Sequence, residues 1–277
     1  MINAIGLYDS GIGGLTVLAP LIKHFPEEVF IYYADSGRAP YGNRDEETLF
    51  QFNKEINEFL FSYPLKLLIV ACNTSDALFL KRIKKVSPVP VIGLIHSAAR
   101  DAVKNPDKTR IVVLGTQRLI ESGVYSKTIL SMNPRVQISG IACPKLVPLI
   151  ESGEFLSRPE RVLEEDSLFK ALDFQPDILI YGCSHYPVLY PIWKPFIPSP
   201  LQLINPGMSI IPLVKSALEK SERSIGPQDK KEFPQVTFWI SGDVDSFQTR
   251  AYELLPPFEG KFYSHTFEKK QIPVVTL

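Results

Sequence analysis

Two stretches of this chain decide how it folds, and they share one local pattern. The first reads Leu67-Leu68-Ile69-Val70-Ala71-Cys72-Asn73-Thr74, and the second reads Ile178-Leu179-Ile180-Tyr181-Gly182-Cys183-Ser184-His185. In each, an apolar run typical of a buried parallel strand ends at a cysteine, and small polar residues that can begin a helix follow. The ligand sites of α/β folds lie where such strands end. The two thiols are therefore predicted to form an acid–base pair facing one small ligand.

Apolar, strand-like runs alternate with helical stretches along the rest of the chain. The predicted strands are Ala4–Tyr8, Val29–Ala34, Leu67–Ala71, Val89–Gly93, Ile111–Leu114, Gln137–Ile141, Ile178–Tyr181 and Val236–Ile240. The predicted helices are one that runs from the glycine-rich turn at Gly11-Ile12-Gly13-Gly14 through Leu21, then Asp45–Phe61, Glu160–Leu172 and Ile210–Glu219. This alternation predicts an α/β fold with mainly parallel sheets covered by helices.

A weak internal repeat relates the two halves of the chain. Ile5–Gly11 aligns with Val112–Gln117, and Cys72 then aligns with Cys183 at a similar distance along the chain. Two similar half-units facing each other would place the thiols on opposite sides of a cleft. Chance similarity among α/β strands accounts for the same alignment, so the repeat alone leaves both interpretations open.

Composition excludes several classes of function. The 277 residues include 30 Lys and Arg and 30 Asp and Glu, for a formal net charge of zero. That balance argues against a nucleic-acid-binding or membrane-surface protein. No apolar run approaches the length of a membrane span, and the amino terminus lacks a basic and apolar leader. The three cysteines do not form a disulfide framework, and reactive thiols need a reducing compartment, so a cytoplasmic protein is expected.

Each candidate residue has an ordinary structural interpretation beside its chemical one. A cysteine after a strand is most often a small buried hydrophobe, but polar neighbours and a following helix start favour a thiolate at Cys72 and Cys183. Cys143 lacks this setting and is assigned to the core or to a layer behind the site. Asp9 and His185 are candidates for setting the charge of a thiol or moving a proton, with a helix cap and a structural hydrogen bond as the alternatives.

Hydroxyl and amide groups cluster where donors to a substrate carboxylate are needed. Removing a proton beside a carboxylate builds negative charge next to existing charge, so the site needs a base, an acid and fixed donors. The candidate donors, each just past a predicted strand and each also a candidate helix cap, are Ser10, Asn73, Thr74, Thr116 and Ser184. The glycine-rich turn matches neither a dinucleotide fingerprint nor a P-loop and is interpreted as a close backbone approach to the ligand. No metal site is predicted, because Cys183 and His185 lack a second Cys/His pair.

These residues together resemble the cofactor-independent aspartate/glutamate racemase family. The matching motifs cover most of the chain and are Asp9-Ser10-Gly11-Ile12-Gly13-Gly14, Asp35 to Pro40-Tyr41-Gly42, Ala71-Cys72-Asn73-Thr74, Gly115-Thr116, Ala142-Cys143-Pro144 to Pro148-Leu149-Ile150-Glu151, Gly182-Cys183-Ser184-His185-Tyr186-Pro187 and Ser241-Gly242-Asp243. The resemblance implies two pseudo-symmetric α/β domains with the active site in the cleft between them. The first domain would comprise residues 1–95 and 208–277, and the second residues 96–207.

The resemblance also implies an activity and a set of roles. It implies interconversion of L- and D-glutamate for peptidoglycan synthesis, without pyridoxal phosphate or metal. Glutamate would be the bound small molecule, and the chain would be able to form a homodimer. Cys72 and Cys183 would be the two bases, assisted by Asp9, Glu151 and His185. The positions matching substrate contacts are Asp9, Ser10, Pro40, Tyr41, Gly42, Asn73, Thr74, Thr116, Ser184 and His185. Alternatives are an aspartate racemase, another two-cysteine member of the superfamily, and a catalytically silent regulatory protein on the same fold.

Overall fold

Ten parallel strands in two sheets frame the part of the chain that the structure describes. In this computed structural model, that part comprises residues 3–220 and 234–267. In chain order the strands are β1 (Ala4–Asp9), β2 (Phe30–Ala34), β3 (Leu65–Val70), β4 (Val91–Gly93), β5 (Arg110–Gly115), β6 (Gln137–Ala142), β7 (Ile178–Tyr181), β8 (Gln202–Ile204), β9 (Val236–Ile240) and β10 (Gly260–Ser264).

Helices cover both faces of these sheets. Within the described ranges they are α1 (Leu15–His24), α2 (Glu46–Phe61), α3 (Asn73–Val86), α4 (Ile95–Ala102), α5 (Gln117–Ser122), α6 (Val124–Met132), α7 (Leu146–Glu151), α8 (Glu154–Ser157), α9 (Glu160–Leu163), α10 (Ser167–Asp173), α11 (Tyr190–Trp193), α12 (Pro206–Ser209), α13 (Ile211–Glu219) and α14 (Val244–Leu254). Short 3₁₀ helices lie at Ser36–Arg38, Tyr41–Asn43, Tyr186–Leu189 and Lys194–Phe196. No helix in these ranges is both long enough and apolar enough to cross a membrane.

The order of the strands reproduces the internal repeat. The larger sheet runs β10-β9-β2-β1-β3-β4 and the smaller one β6-β5-β7-β8, so β2-β1-β3-β4 corresponds strand for strand to β6-β5-β7-β8. The aligned strands β1 and β5 are the centres of the two sets. Each pairs in parallel with the strand that precedes a site cysteine, through Tyr8 opposite Val70 and Leu114 opposite Tyr181. The predicted α/β class with parallel sheets is confirmed.

A common apolar core joins the two sheets. One cluster of buried side chains contains Leu7 of β1, Leu15 of α1, Leu114 of β5 and Leu179 of β7. Fully burying each such side chain contributes about 1.5–3 kcal/mol. Both sheets lie within the predicted domain limits, which remain a prediction; residues 1–2, 221–233 and 268–277 of the proposed first domain lie outside the described residues.

Two predicted helices differ from the structure, and two strands were not predicted. The helix predicted over Glu160–Leu172 is wrong as a single element, because α9 ends at Leu163 and α10 begins at Ser167 after Asp166, whose φ of 59° is left-handed. Aspartate tolerates that conformation better than most residues, so the apolar periodicity continues across a break in the helix. The helix predicted over Ile210–Glu219 begins at Ile211, directly after α12. Strands β8 and β10 were not predicted, since each is a sheet edge with few buried side chains.

Candidate active site

Each site cysteine lies just past the carboxyl end of a strand, as predicted. Cys72 follows β3 and occupies the cap position of the 14-residue helix α3. Cys183 follows β7, but the helical segment beyond it is only the 3₁₀ turn Tyr186–Leu189. Both side chains are buried, with 4% and 6% exposure. The predicted helix start is therefore confirmed at Cys72, whereas the segment beyond Cys183 is a short 3₁₀ helix that begins three residues later.

The two thiols line one small cavity between the halves of the chain. Its volume is about 20 Å³, which is room for about one water molecule. Among its lining residues are Ser10, Pro40, Tyr41, Gly42, Asn73, Thr74, Thr116, Ser184 and His185, all of them predicted from the sequence. One cavity therefore brings both thiols together with predicted contact residues from both halves.

The cavity also has walls that the sequence did not predict. These residues are Asn43, Gln117, Pro144 and Val147, together with Cys143, which had been assigned to the core or to a second layer. Asn43 and Gln117 directly follow predicted contact residues, so extending each motif by one position would have found them. Val147 lies inside α7 among other apolar residues, and nothing in its sequence context distinguishes it from a core residue.

A chain of polar contacts runs from Cys183 away from the cavity. Cys183 Sγ lies 3.6 Å from His185 Nδ1, and His185 Nε2 lies 2.6 Å from Glu151 Oε1. The same carboxylate oxygen accepts a hydrogen bond from the Ile12 backbone N–H at 2.9 Å. Burial alone would lower the pKa of His185, but contacts with Cys183 and Glu151 outweigh it and raise that pKa well above its ordinary value. His185 is therefore held between Cys183 and Glu151, and these two contacts favour its protonated form.

Cys72 has a different electrostatic setting. Burial raises the pKa of the Cys72 thiol to about 11, and the nearby Asp9 carboxylate adds to the rise, while Ser75 in the first turn of α3 opposes it. Cys72 Sγ lies 3.9 Å from Ser10 Oγ. At neutral pH Cys72 is therefore a neutral thiol, which suits a proton donor better than a base.

Asp9 lies behind the cavity wall and joins the two halves. Its Oδ1 accepts from the Ser184 hydroxyl at 2.9 Å, and its Oδ2 accepts from the Gly11 backbone N–H at 3.0 Å. Burial raises the pKa of Asp9, although the positive charge on His185 opposes this. Asp9 and Glu151, two of the predicted catalytic residues, do not line the cavity. Each contacts a residue that does: Asp9 contacts Ser184, and Glu151 contacts His185. Asp9 caps no helix, so the alternative interpretation for it is wrong.

The glycine-rich turn serves a purpose other than the predicted one. A Cβ at Gly11 would overlap the Glu151 carboxylate, and one at Gly13 would overlap the His185 ring and lie 2.6 Å from Ser184 Oγ. The absence of side chains here thus lets the Cys183 wall and its carboxylate approach the first half of the chain. The expectation that this turn approaches the ligand is corrected: it packs against the residues that support the ligand cavity.

Hydrogen-bond donors gather at the first turn of α3. Asn73 and Thr74 are its first two residues, and Thr74 Oγ1 lies 3.0 Å from Thr116 Oγ1 of the second half. The Thr116 hydroxyl also accepts from the Leu119 backbone N–H at 3.3 Å, so its ordinary role as a helix cap is real and coexists with its place in the cavity. Free backbone N–H groups at the start of a helix add a positive partial charge. This end of the cavity is suited to an anion such as a carboxylate.

A neighbouring network holds the Pro40–Gly42 wall. The Tyr41 hydroxyl donates to the buried Asp35 carboxylate, which also accepts from Ser241 Oγ at 2.8 Å and from Arg38 Nε. The Gly37 backbone N–H donates to the same Ser241 hydroxyl at 3.0 Å. Two motifs far apart in the sequence therefore meet behind one wall of the cavity.

This site, on this fold, belongs to a known class of proteins. The family described as Asp/Glu/hydantoin racemase matches residues 22–210. That range covers more than half of the chain, which therefore belongs to the Asp/Glu/hydantoin racemase family.

Individual relatives narrow the comparison. A glutamate racemase of Carnobacterium sp. (strain St2) is 36% identical over 253 residues, covering 91% of this chain and 94% of the relative. The crystal structure of a glutamate racemase isoform from Bacillus anthracis matches with a TM-score of 0.85 and 31% identity, over 96% of this chain and 98% of that one. A glutamate racemase from Francisella tularensis in complex with D-glutamate matches with a TM-score of 0.82 and 25% identity, over 96% and 97% of the two chains.

Proposed function

We propose that this protein is a racemase that interconverts L- and D-glutamate with Cys72 and Cys183 as its two bases. The observation that carries the proposal is the pair of buried thiols that line one small cavity from the two halves of the chain, with unlike charged groups beside them. The names of the relatives support glutamate as the substrate. Membership of the racemase family supports the reaction class.

The two thiols act on opposite faces of the substrate. With L-glutamate, the Cys183 thiolate takes the α-proton, and the electron pair left on Cα spreads into the carboxylate. Cys72 then delivers its own proton to the other face, which leaves a thiol at Cys183 and a thiolate at Cys72. D-glutamate binds that second state and reverses every step. Between turnovers, proton exchange with solvent restores the first state.

The residues around the thiols lower the barrier to these transfers. His185, held by Glu151, stabilises the charged form of Cys183 and can receive or return a proton at Nδ1. Asp9 holds Ser184 against the first half and disfavours a second thiolate at Cys72. The substrate carboxylate would lie at the first turn of α3, where Asn73, Thr74 and Thr116 can donate to it.

The remaining roles follow from this assignment. The chemistry needs no pyridoxal phosphate or metal, since both proton carriers are side chains of the chain itself. The product D-glutamate would supply peptidoglycan synthesis and so support the cell wall and cell shape. Three free cysteines, two of them catalytic, favour the reducing cytoplasm. The homodimer stays a prediction, which light scattering of the purified protein can test.

One experiment tests the activity and its two-base character together. L-glutamate is incubated in deuterium oxide with the pure protein and no added cofactor, and is followed by circular dichroism and proton NMR. The ellipticity should decay to zero, because the enantiomers have equal free energies. The first D-glutamate formed should carry deuterium at Cα, since Cys72 delivers a deuteron that it has taken from the solvent. Transfer of the substrate's own proton into the product at low conversion would contradict the two-base mechanism.

The same assay separates the alternatives. Decay with L-aspartate in place of L-glutamate would identify an aspartate racemase. No decay with either amino acid, from protein whose far-ultraviolet spectrum shows it to be folded, would identify a silent regulatory member of the family.

A further inference from the structure

Asn73 combines deep burial with an unused hydrogen-bond donor. Its side chain is only 3% exposed, lies next to Cys72 at the start of α3 and lines the cavity. Its amide nitrogen Nδ2 is buried and finds no acceptor among the described residues. A buried amide donor without a partner is unfavourable, so its presence in a cavity wall points to an acceptor on the ligand.

The oxygen of the Asn73 side-chain amide has a hydrogen-bond donor, Tyr125. The Tyr125 hydroxyl, on α6 of the second half, donates to Asn73 Oδ1 at 3.0 Å. The tyrosine is 4% exposed. Burial raises the pKa of Tyr125 well above its ordinary value, so the hydroxyl stays protonated and remains a donor. With Oδ1 occupied in this way, Nδ2 is the free end of the amide.

We propose that Tyr125 is a positioning residue: its hydroxyl holds the Asn73 amide so that Nδ2 donates to the carboxylate of the amino-acid substrate. The inference rests on the proposed function, because the substrate carboxylate is the acceptor. As the α-proton leaves, negative charge moves onto that carboxylate, and a donor that is already oriented stabilises it without rearrangement. The orientation of a donor in the first half thus depends on a side chain of the second half.

A double-mutant cycle distinguishes this role from simple support of the fold. We expect Tyr125→Phe to lower kcat/KM for L-glutamate about 10-fold and Asn73→Ala about 100-fold. If Tyr125 acts through Asn73, the double variant should be no worse than Asn73→Ala, within about twofold. Effects that multiply to about 1,000-fold, or a Tyr125→Phe variant within about twofold of the parent, would overturn the proposal.

A matched variant controls for loss of a buried tyrosine hydroxyl elsewhere. Tyr33→Phe removes a hydroxyl that lies 3.1 Å from His265 Nδ1, and it should leave kcat/KM within about twofold of the parent. Thermal melting followed by circular dichroism should show all four variants folded at the assay temperature.

A crystal structure of Tyr125→Phe decides the proposal without reference to activity. The Asn73 amide should turn from its present orientation, because its oxygen has lost a donor. An unchanged amide would refute the positioning role even if racemisation were slowed. If the parent protein fails to racemise glutamate, the proposed function fails, and this structure still decides whether Tyr125 orients Asn73.

Discussion

The two halves of the site share an arrangement of strands, but the charged groups beside their thiols differ. Cys72 and Cys183 follow corresponding strands, β3 and β7, in the corresponding sets β2-β1-β3-β4 and β6-β5-β7-β8. Around Cys72 the nearby charge is the Asp9 carboxylate, which joins burial in raising the pKa of the thiol to about 11. Beside Cys183 lies His185, whose pKa is raised well above its ordinary value by its contacts with Cys183 and Glu151.

In the proposed mechanism, this difference decides which thiol is the acid and which is the base when L-glutamate binds. Two thiols in identical surroundings would be protonated to the same extent. Neither of them would then be favoured as the thiolate that takes a proton or as the thiol that gives one. Asp9 and burial disfavour a thiolate at Cys72, which matches the proposed role of Cys72 as the proton donor to the deprotonated substrate formed from L-glutamate. Under the proposed mechanism, the repeated strands place one thiol on each side of the substrate, and the unlike charges beside the thiols decide which of them takes the first proton.

Removing either thiol should have the largest effect on this comparison. Cys72→Ala and Cys183→Ala should each lower kcat/KM by at least about 1,000-fold, because each removes a proton carrier from one face. Since the enantiomers have equal free energies, each loss must be the same whether it is measured from L- or D-glutamate. Polarimetry from both enantiomers, with thermal melting to confirm the fold, gives the measurement.

The third cysteine provides a matched comparison. Cys143 is a buried thiol whose Sγ lies 3.5 Å from the Ile141 carbonyl oxygen, and burial raises its pKa to about 12. Cys143→Ala should cost far less activity than the other two substitutions. Near-parental turnover by either Cys72→Ala or Cys183→Ala would remove the two-base mechanism.

Much of this site was predictable because its residues follow strands. The family, the parallel α/β class and the placement of both thiols at strand ends are confirmed. The hydroxyls of Ser10, Thr116 and Ser184 lie in the cavity because each comes within three residues of a strand end. Their catalytic and binding roles stay predictions. Local pattern is informative here, since strand ends converge on one edge of a sheet.

The rest depends on contacts between distant parts of the chain. The Ile12 N–H and Glu151 are 139 positions apart, and no local pattern shows that the glycine-rich turn makes room for this carboxylate. Tyr125 sits in an ordinary amphipathic helix, and its contact with Asn73 exists only after the halves have packed. The charge difference between the two thiols likewise arises from burial and from contacts distant in sequence, of Asp9 with Cys72 and of Glu151 with His185.

The influence of His185 on Cys183 can be tested with a substitution whose expected effect on activity is intermediate in size. His185→Gln removes the positive charge beside Cys183, so kcat should fall about 100-fold. The fall should be larger with L-glutamate as substrate than with D-glutamate, because only the L reaction begins from a Cys183 thiolate. The loss of kcat/KM must still be equal in both directions, so KM changes to compensate.

A second histidine far from the site serves as the control for His185→Gln. His24 lies at the exposed end of α1, where Nδ1 contacts the Pro20 carbonyl oxygen at 2.8 Å. His24→Gln should leave both directions of the reaction close to parental. Equal losses of kcat for the two enantiomers in His185→Gln would argue that His185 supports the fold of the site rather than the charge on Cys183.

The smallest expected effect is a shift in the pH dependence of kcat/KM when the Asp9 carboxylate is removed. A Cys72 thiol is needed to donate to L-glutamate, so kcat/KM should fall at high pH as that thiol ionises, near its pKa of about 11. Asp9 raises this pKa, so Asp9→Asn should lower it and move the alkaline limb of the profile to lower pH.

Asp45→Asn, which removes an exposed carboxylate at the cap of α2, should leave the limb where it is. Asp9→Asn will also slow the reaction, but a uniform loss of rate cannot move the limb. A limb that stays in place, or moves to higher pH, would show that the Asp9 charge does not set the protonation of Cys72.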